Sequence, residues 1–219
     1  MRVSVLASGS GTILDALLTE GVEVAVVVVD RPCRATQVAD AHGVASVVLE
    51  RDSFGDEFDR VAYTERLVDV LDAERIDLVV MAGFGTILAK PIFDRFAGRI
   101  LNTHPALLPA FPGWHAVADA LDYGVKVTGC TVHVATEEVD AGPILAQEAV
   151  EVRPDVQAAF NEALQRRMRR TVWMTGGCSS WYIAANGRNT TLWPDFTFRF
   201  RRRTRRFDLA SYLTRPTAC

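Results

Sequence analysis

No stretch of these 219 residues is long and apolar enough to cross a bilayer. The run Val24–Val29 falls far short of the roughly 20 residues a spanning helix needs, so no membrane partner is expected. Cysteine is sparse. Cys33, Cys130, Cys178 and Cys219 have neither C-x-x-C nor metal-ligand spacing, which argues against a zinc module or a disulfide scaffold. A reduced, cytoplasmic setting is the simplest reading. The N-terminus enters an apolar, strand-like run at once, and nothing there reads as a signal or transit peptide. Nucleotide signatures are incomplete as well: Gly9-Ser10-Gly11 lacks the third glycine of a dinucleotide fingerprint, and no Lys-Ser/Thr pair marks a P-loop. Before residue 155 there is no internal repeat and no low-complexity linker.

What is present alternates. Arg2–Ala7 reads as a buried strand, Ser8–Thr12 as a small-residue turn, and Ile13–Leu18 as a helix with Leu14, Leu17 and Leu18 on one face. Further strands are expected at 22–29, 45–49, 77–81, 100–102, 126–134 and 144–150. Helices are expected at 34–42, at 56–71 with Phe58, Val61, Ala62, Leu67, Val70 and Leu71 inward, at 91–96 and at 115–123. This order predicts an α/β fold, a Rossmann-like, mostly parallel sheet with helices on both faces.

Chemistry concentrates in three loops. Backbone N–H groups at the Gly-rich turn can cradle a phosphate at a helix start, although a plain βα turn explains the residues equally well. Leu101–Gly113 contains Pro105, Pro109 and Pro112, which stiffen the chain beyond a strand end. It is expected to carry Asn102 and His104 on an irregular loop, and residues two apart in extended chain face one side. Asp140 precedes Gly142-Pro143 and, alone, reads as a turn residue. Together, an imidazolium oriented by a carboxylate and an amide donor suit stabilisation of an oxyanion during acyl transfer to an amine.

Five motifs in order carry a resemblance to a known family. They are Val5-Leu6-Ala7-Ser8-Gly9-Ser10-Gly11-Thr12, Ala82-Gly83-Phe84-Gly85-Thr86-Ile87-Leu88, Leu101-Asn102-Thr103-His104-Pro105-Ala106-Leu107-Leu108-Pro109, Gly113-Trp114-His115-Ala116, and Val125–His133 followed by Asp140–Gln147. Residues 1 to about 154 resemble the phosphoribosylglycinamide formyltransferases, folate-dependent transformylases of purine synthesis. The resemblance implies transfer of the formyl group of 10-formyltetrahydrofolate, a co-substrate, to the amine of glycinamide ribonucleotide, with no metal and no flavin. It implies a catalytic trio: His104 as the acid that meets the oxyanion, Asn102 as a second donor, and Asp140 as the carboxylate that favours the charged imidazole and relays protons. It places Gly11, Thr12 and Ile13 at the ribose phosphate. Ile13, often Asn in the family, would serve through its backbone alone. Folate binding falls to Gly85, Thr86, Ile87, Leu88, Asn102 and the basic Arg60. Gly85-Thr86 replaces a Met-Arg pair found in some members, so no side-chain contact is assigned there. A homodimer is compatible with this reading. Hydrolysis of the same folate is disfavoured because that relative carries an N-terminal regulatory domain, and transfer to methionyl-tRNA because its large C-terminal domain has no counterpart.

The net charge of −3 hides a split. Of 24 basic and 27 acidic residues, 12 arginines but only Glu162, Asp195 and Asp208 fall in residues 156–219. Three of the four tryptophans, Trp173, Trp181 and Trp193, lie there too. Two parts are therefore expected: 1–155, the formyltransferase domain, and 156–219, a basic, Trp-rich tail. Gln165–Trp173, Gly176–Tyr182, Asn186–Pro194 and Arg201–Asp208 resemble the C-terminal end of flavin-dependent Baeyer–Villiger monooxygenases, without that family's nucleotide-binding body. The tail thus reads as non-native to the formyltransferase fold, and the chain as a fusion. The arginines are explained by that resemblance, so no nucleic-acid partner is expected. Because the family's own C-terminal helix has no match here, either Val156, Phe160 and Leu164 dock in its place or the domain is weakened. The alternative product is a catalytically impaired fusion that retains folate binding.

Overall fold

A computed structural model of the chain describes residues 1–53, 55–156, 169–174 and 181–186. The elements are β1 (Val3–Ala7), α1 (Thr12–Thr19), β2 (Val24–Val29), α2 (Arg34–Ala41), β3 (Ser46–Val48), α3 (Arg60–Ala73), β4 (Leu78–Met81), α4 (Lys90–Arg95), β5 (Ile100–His104), α5 (Ala116–Tyr123), β6 (Val127–Val134) and β7 (Ile144–Glu151). Two more strands, β8 (Arg169–Met174) and β9 (Trp181–Asn186), pair antiparallel as a separate two-stranded sheet.

The main sheet has seven strands in the order β3-β2-β1-β4-β5-β6-β7. Its first five strands pair in parallel, whereas β6 and β7 run antiparallel to their neighbours. The strand alternation of period two sorts the core. Leu6, Val26 and Val28 pack under Tyr63, Leu67, Leu71 and Ile92 of α3 and α4. Val5, Ala7, Val27 and Val29 pack under Ile13, Leu14, Ala35 and Ala39 of α1 and α2. Helices therefore cover both faces, as the α/β reading requires. Strand order reverses direction between β1 and β4, the kind of place where open α/β sheets form a ligand crevice.

Two elements depart from the sequence reading. Helix α3 begins at Arg60, not at Asp56, because the Asp59 carboxylate caps it by accepting from the Ala62 N–H at 2.9 Å. Its inner face is Tyr63, Thr64, Leu67 and Leu71, while Val61 is exposed and Phe58 precedes the helix. Thr64 is tolerated inside because its hydroxyl donates to the Arg60 carbonyl and accepts from the Ala89 N–H. Strand β5 runs on to His104 instead of stopping at Asn102, because antiparallel β6 supplies a ladder for it: Asn102 pairs with His133 and His104 with Thr131. Of the proposed C-terminal docking residues, Val156 is buried with Val117, Leu121, Cys130 and Val152 against α5 and β6. Phe160 and Leu164 lie outside the described residues, as do Trp193 and Arg201–Asp208.

The Pro-rich loop after β5 is fastened by one hydroxyl. Thr131 Oγ1 donates to the Ala106 carbonyl and accepts from the Leu108 N–H and from Gln147 Nε2, which also donates to the Leu108 carbonyl. Thr131 is fully buried, so the isosteric Thr131→Val leaves the Leu108 N–H unpaired. The expected loss is about 1–3 kcal/mol of unfolding free energy in urea titration. A change below about 0.5 kcal/mol, the level of an ordinary surface substitution, would refute this anchoring.

Candidate active site

Residues opposite each other in an antiparallel pair share a sheet face. Asn102 and His104 of β5 thus stand beside His133 and Thr131 of β6 on one face, and the β6–β7 loop folds Asp140 onto them. Asn102 and His104 accordingly sit on a strand face, where the sequence had suggested a loop beyond the strand end.

The Asp140 side chain, only 6% exposed, is the hub. Its Oδ2 lies 3.2 Å from His104 Nδ1 and accepts from the Gly113 N–H at 2.8 Å. Its Oδ1 accepts from Asn102 Nδ2 at 3.3 Å and lies 3.5 Å from His133 Nε2. Asp140 adopts φ +57°, a left-handed conformation uncommon outside glycine and tolerated best by Asn and Asp. Burial pushes its carboxyl upward, but hydrogen bonding from His133 and from the Gly113 amide, with the charges of His104 and His133, outweighs burial and holds it below its ordinary value.

His104 Nε2 donates to the Phe111 carbonyl at 2.8 Å. Both ring nitrogens therefore face acceptors, an arrangement an imidazolium satisfies completely. Asn102 Nδ2 also donates to His133 Nε2 at 3.1 Å, while His133 Nδ1 faces the Val134 carbonyl at 3.1 Å. With the proton on Nδ1, His133 accepts from Asn102. His133, 1% exposed, and Asp140 together hold the Asn102 NH2 inward. Sequence reasoning gave His133 no role, since only the Asn102–His133 register reveals its position.

The remaining expected residues fall at two other places. Gly11 caps α1 at φ +73°, and a Cβ there would lie 2.8 Å from Ala35 Cα, so only glycine fits. The N–H groups of the first turn, Thr12 and Ile13 among them, have no helical acceptor. The Ile13 side chain is buried in the core, which leaves its backbone alone for binding. In the segment after β4, Gly85 is partly exposed and Ile87 exposed, whereas Leu88 is core. Thr86 is 1% exposed and donates to the buried carboxylate of Asp30 at 2.7 Å. Arg60 is exposed at the first residue of α3.

Asp30 also receives both arms of Arg31 at 3.0 Å. Burial raises its carboxyl, but hydrogen bonds from Arg31, Thr86 and Ser8 bring it below the ordinary value. Asp30 and Asp140 are both depressed, so the unfolded chain binds more protons between the folded and unfolded pKa values. Their stabilisation is complete above the unfolded value of about 3.9 and disappears as pH falls through the lower folded values. The urea midpoint should hold from neutrality to about pH 4 as far as these two groups are concerned, and drop below it. In Asp30→Asn that drop should be shallower, and an equally steep one would refute the assignment.

Among the described residues no helix is long and apolar enough to cross a membrane, and no cluster of three or more His, Cys, Asp or Glu is arranged to hold a metal ion.

Comparison with known proteins places the chain. It matches the family described as Formyl transferase over residues 1–171, which runs past the expected boundary at 155. Phosphoribosylglycinamide formyltransferase of Mycobacterium tuberculosis (strain CDC 1551 / Oshkosh) is 47% identical over 175 residues, covering 78% of this chain and 79% of that protein. The Bacillus subtilis (strain 168) protein of the same name is 34% identical, over 69% of this chain and 80% of its own. The crystal structure of glycinamide ribonucleotide transformylase 1 from Symbiobacterium toebii superposes with a TM-score of 0.66 at 39% identity, covering 76% of this chain and 81% of that one. Fold, motif order and these relatives agree, and the chain belongs to the formyl transferase family, an enzyme family of the transferase class, on its phosphoribosylglycinamide formyltransferase branch.

Proposed function

We propose that the chain transfers the formyl group of 10-formyltetrahydrofolate to the amine of glycinamide ribonucleotide, within purine synthesis and in a cytoplasmic setting. The observation that carries this is the Asp140 carboxylate, buried and shared among His104, His133, Asn102 and the Gly113 amide. The folate supplies the formyl carbon, and the chain's own residues do the rest. The amine nitrogen bonds to that carbon while the carbonyl electron pair moves onto oxygen. His104 meets this oxygen with the Nε2–H that otherwise serves the Phe111 carbonyl, and Asp140 holds the imidazolium by Nδ1. Asn102 is the second donor, through an Nδ2–H that otherwise serves Asp140 and His133. As the bond from carbon to the folate nitrogen breaks, that nitrogen takes up the proton released by the attacking amine, with Asp140 relaying through water.

Gly11, Thr12 and Ile13 hold the ribose phosphate through first-turn N–H groups. Gly85, Thr86, Ile87 and Leu88 line the folate side, with Thr86 acting only through its backbone, since its hydroxyl is committed to Asp30. Arg60 lies toward the acidic end of the folate. Residues 1–155 carry the reaction, and 156–219, with its resemblance to a monooxygenase C-terminus, supplies neither flavin chemistry nor a nucleic-acid site.

The test is formylation of glycinamide ribonucleotide by the purified full-length protein, followed by folate absorbance. Turnover supports the reading. Folate binding without turnover points to an impaired fusion, and release of formate without the ribonucleotide points to a hydrolase.

A further inference from the structure

Trp114 has been given no role, yet it is 70% exposed and its ring lies against Gly85, in the loop that follows β4. A Cβ built on Gly85 would stand 3.0 Å from Trp114 Cη2, 3.4 Å from its Cζ3 and 3.5 Å from Ser8 Oγ. The benzene edge of the indole thus rests on bare Gly85 backbone. Ser8 joins this floor to the Gly-rich turn: its hydroxyl accepts from the Gly85 N–H at 2.7 Å and its own N–H donates to the Gly83 carbonyl. On the other side, Trp114 follows Gly113, whose N–H donates to Asp140 at φ +93°. An exposed aromatic plate therefore bridges the start of the phosphate-binding turn and the hub carboxylate. A substrate with its phosphate at Gly11–Ile13 and its amine near Asp140 must lay its middle portion along this plate.

We propose that Trp114 is a specificity-determining residue that stacks on the ribose of the amine substrate, and that Gly85 is small to admit the indole. The inference rests on the function proposed above. The polar groups of a sugar ring leave one C–H face that an indole covers well, and desolvating that face favours binding.

The test is calorimetric titration of the full-length protein with glycinamide ribonucleotide and, separately, with 10-formyltetrahydrofolate. Trp114→Ala should weaken the ribonucleotide about 10-fold and shift the folate less than about twofold, with Trp114→Phe recovering most of the loss. Gly85→Ala should weaken the ribonucleotide in the parent, where its methyl displaces the indole, and have little effect in the Trp114→Ala background. Unchanged ribonucleotide affinity in Trp114→Ala, or an equal loss for the folate, overturns the inference while leaving the function intact. A parent protein that binds no ribonucleotide overturns the function itself, and this inference with it.

Discussion

Asp140→Asn is expected to lower kcat by roughly 10²- to 10⁴-fold, the usual contribution of a general acid–base group, in a protein that remains folded. Asn is the residue that best tolerates the left-handed backbone at φ +57°, so the loop keeps its path. What changes is charge. The imidazole of His104 loses the anion 3.2 Å from Nδ1, and His133 loses the one 3.5 Å from Nε2. An amide cannot accept from both His104 and the Gly113 N–H on one side and from Asn102 on the other without presenting a donor to one of them. Steady-state kinetics together with a urea titration separates the two effects. Parent-like kcat in a folded variant would remove Asp140 from the mechanism, and collapse of the fold would make its role structural.

Gly142→Ala is expected to damage stability and turnover together. A Cβ at this position would sit 1.8 Å from the Val134 carbonyl oxygen and 3.1 Å from Thr136 Cγ2. A backbone atom at such a distance cannot yield locally, so the β6–β7 loop must lift. The hydrogen bond from the Val134 N–H to the Pro143 carbonyl, which closes the loop, lies in the same place. Over-packing of this kind is worth roughly 3 kcal/mol, or a fall of about 6–12 °C in Tm for a chain of this size. Asp140 stands two residues away, and an ångström of displacement at the chemistry removes about 10²-fold in rate. Gly55→Ala is the control, since a Cβ there meets only Ser53 Oγ at 3.8 Å. A Tm within about 2 °C of the parent for Gly142→Ala, less than 1 kcal/mol on the same scale, would show that the loop has slack that the packing denies.

The sequence was most legible where local pattern and burial agree. The valines of β2 face helices on both sides, so an unbroken apolar run was the right sign of a parallel interior strand. The start of α3 lies four residues past the expected one because the Asp59 carboxylate reaches the orphan Ala62 amide. Tyr63 and Thr64 belong to its inner face although both carry hydroxyls, which hide a buried role in the sequence. Strand β5 was cut short because Pro105 marks a break without saying how close the ladder comes to it. His133 was out of reach for a different reason. One histidine in an alternating strand carries no local signal, and its place beside Asn102 follows from pairing between residues 31 apart. Asn102, His104 and Asp140, which the structure brings within hydrogen-bonding reach, stand out as loop residues by pattern, and their joining into one trio follows from the resemblance.

All members of the acid–base cluster, Asn102, His104, Gly113, His133 and Asp140, belong to one uninterrupted stretch of chain from β5 to the loop before β7, and Gln147 on β7 completes the fastening through Thr131. In evolutionary terms this stretch is a heritable cassette. A recombination event falling after residue 156 would exchange the end of the gene and leave the cassette whole. One falling between β5 and β7 would divide it. The abrupt change of charge and tryptophan content lies on the permissive side of that line, where selection on the chemistry has least power over the sequence.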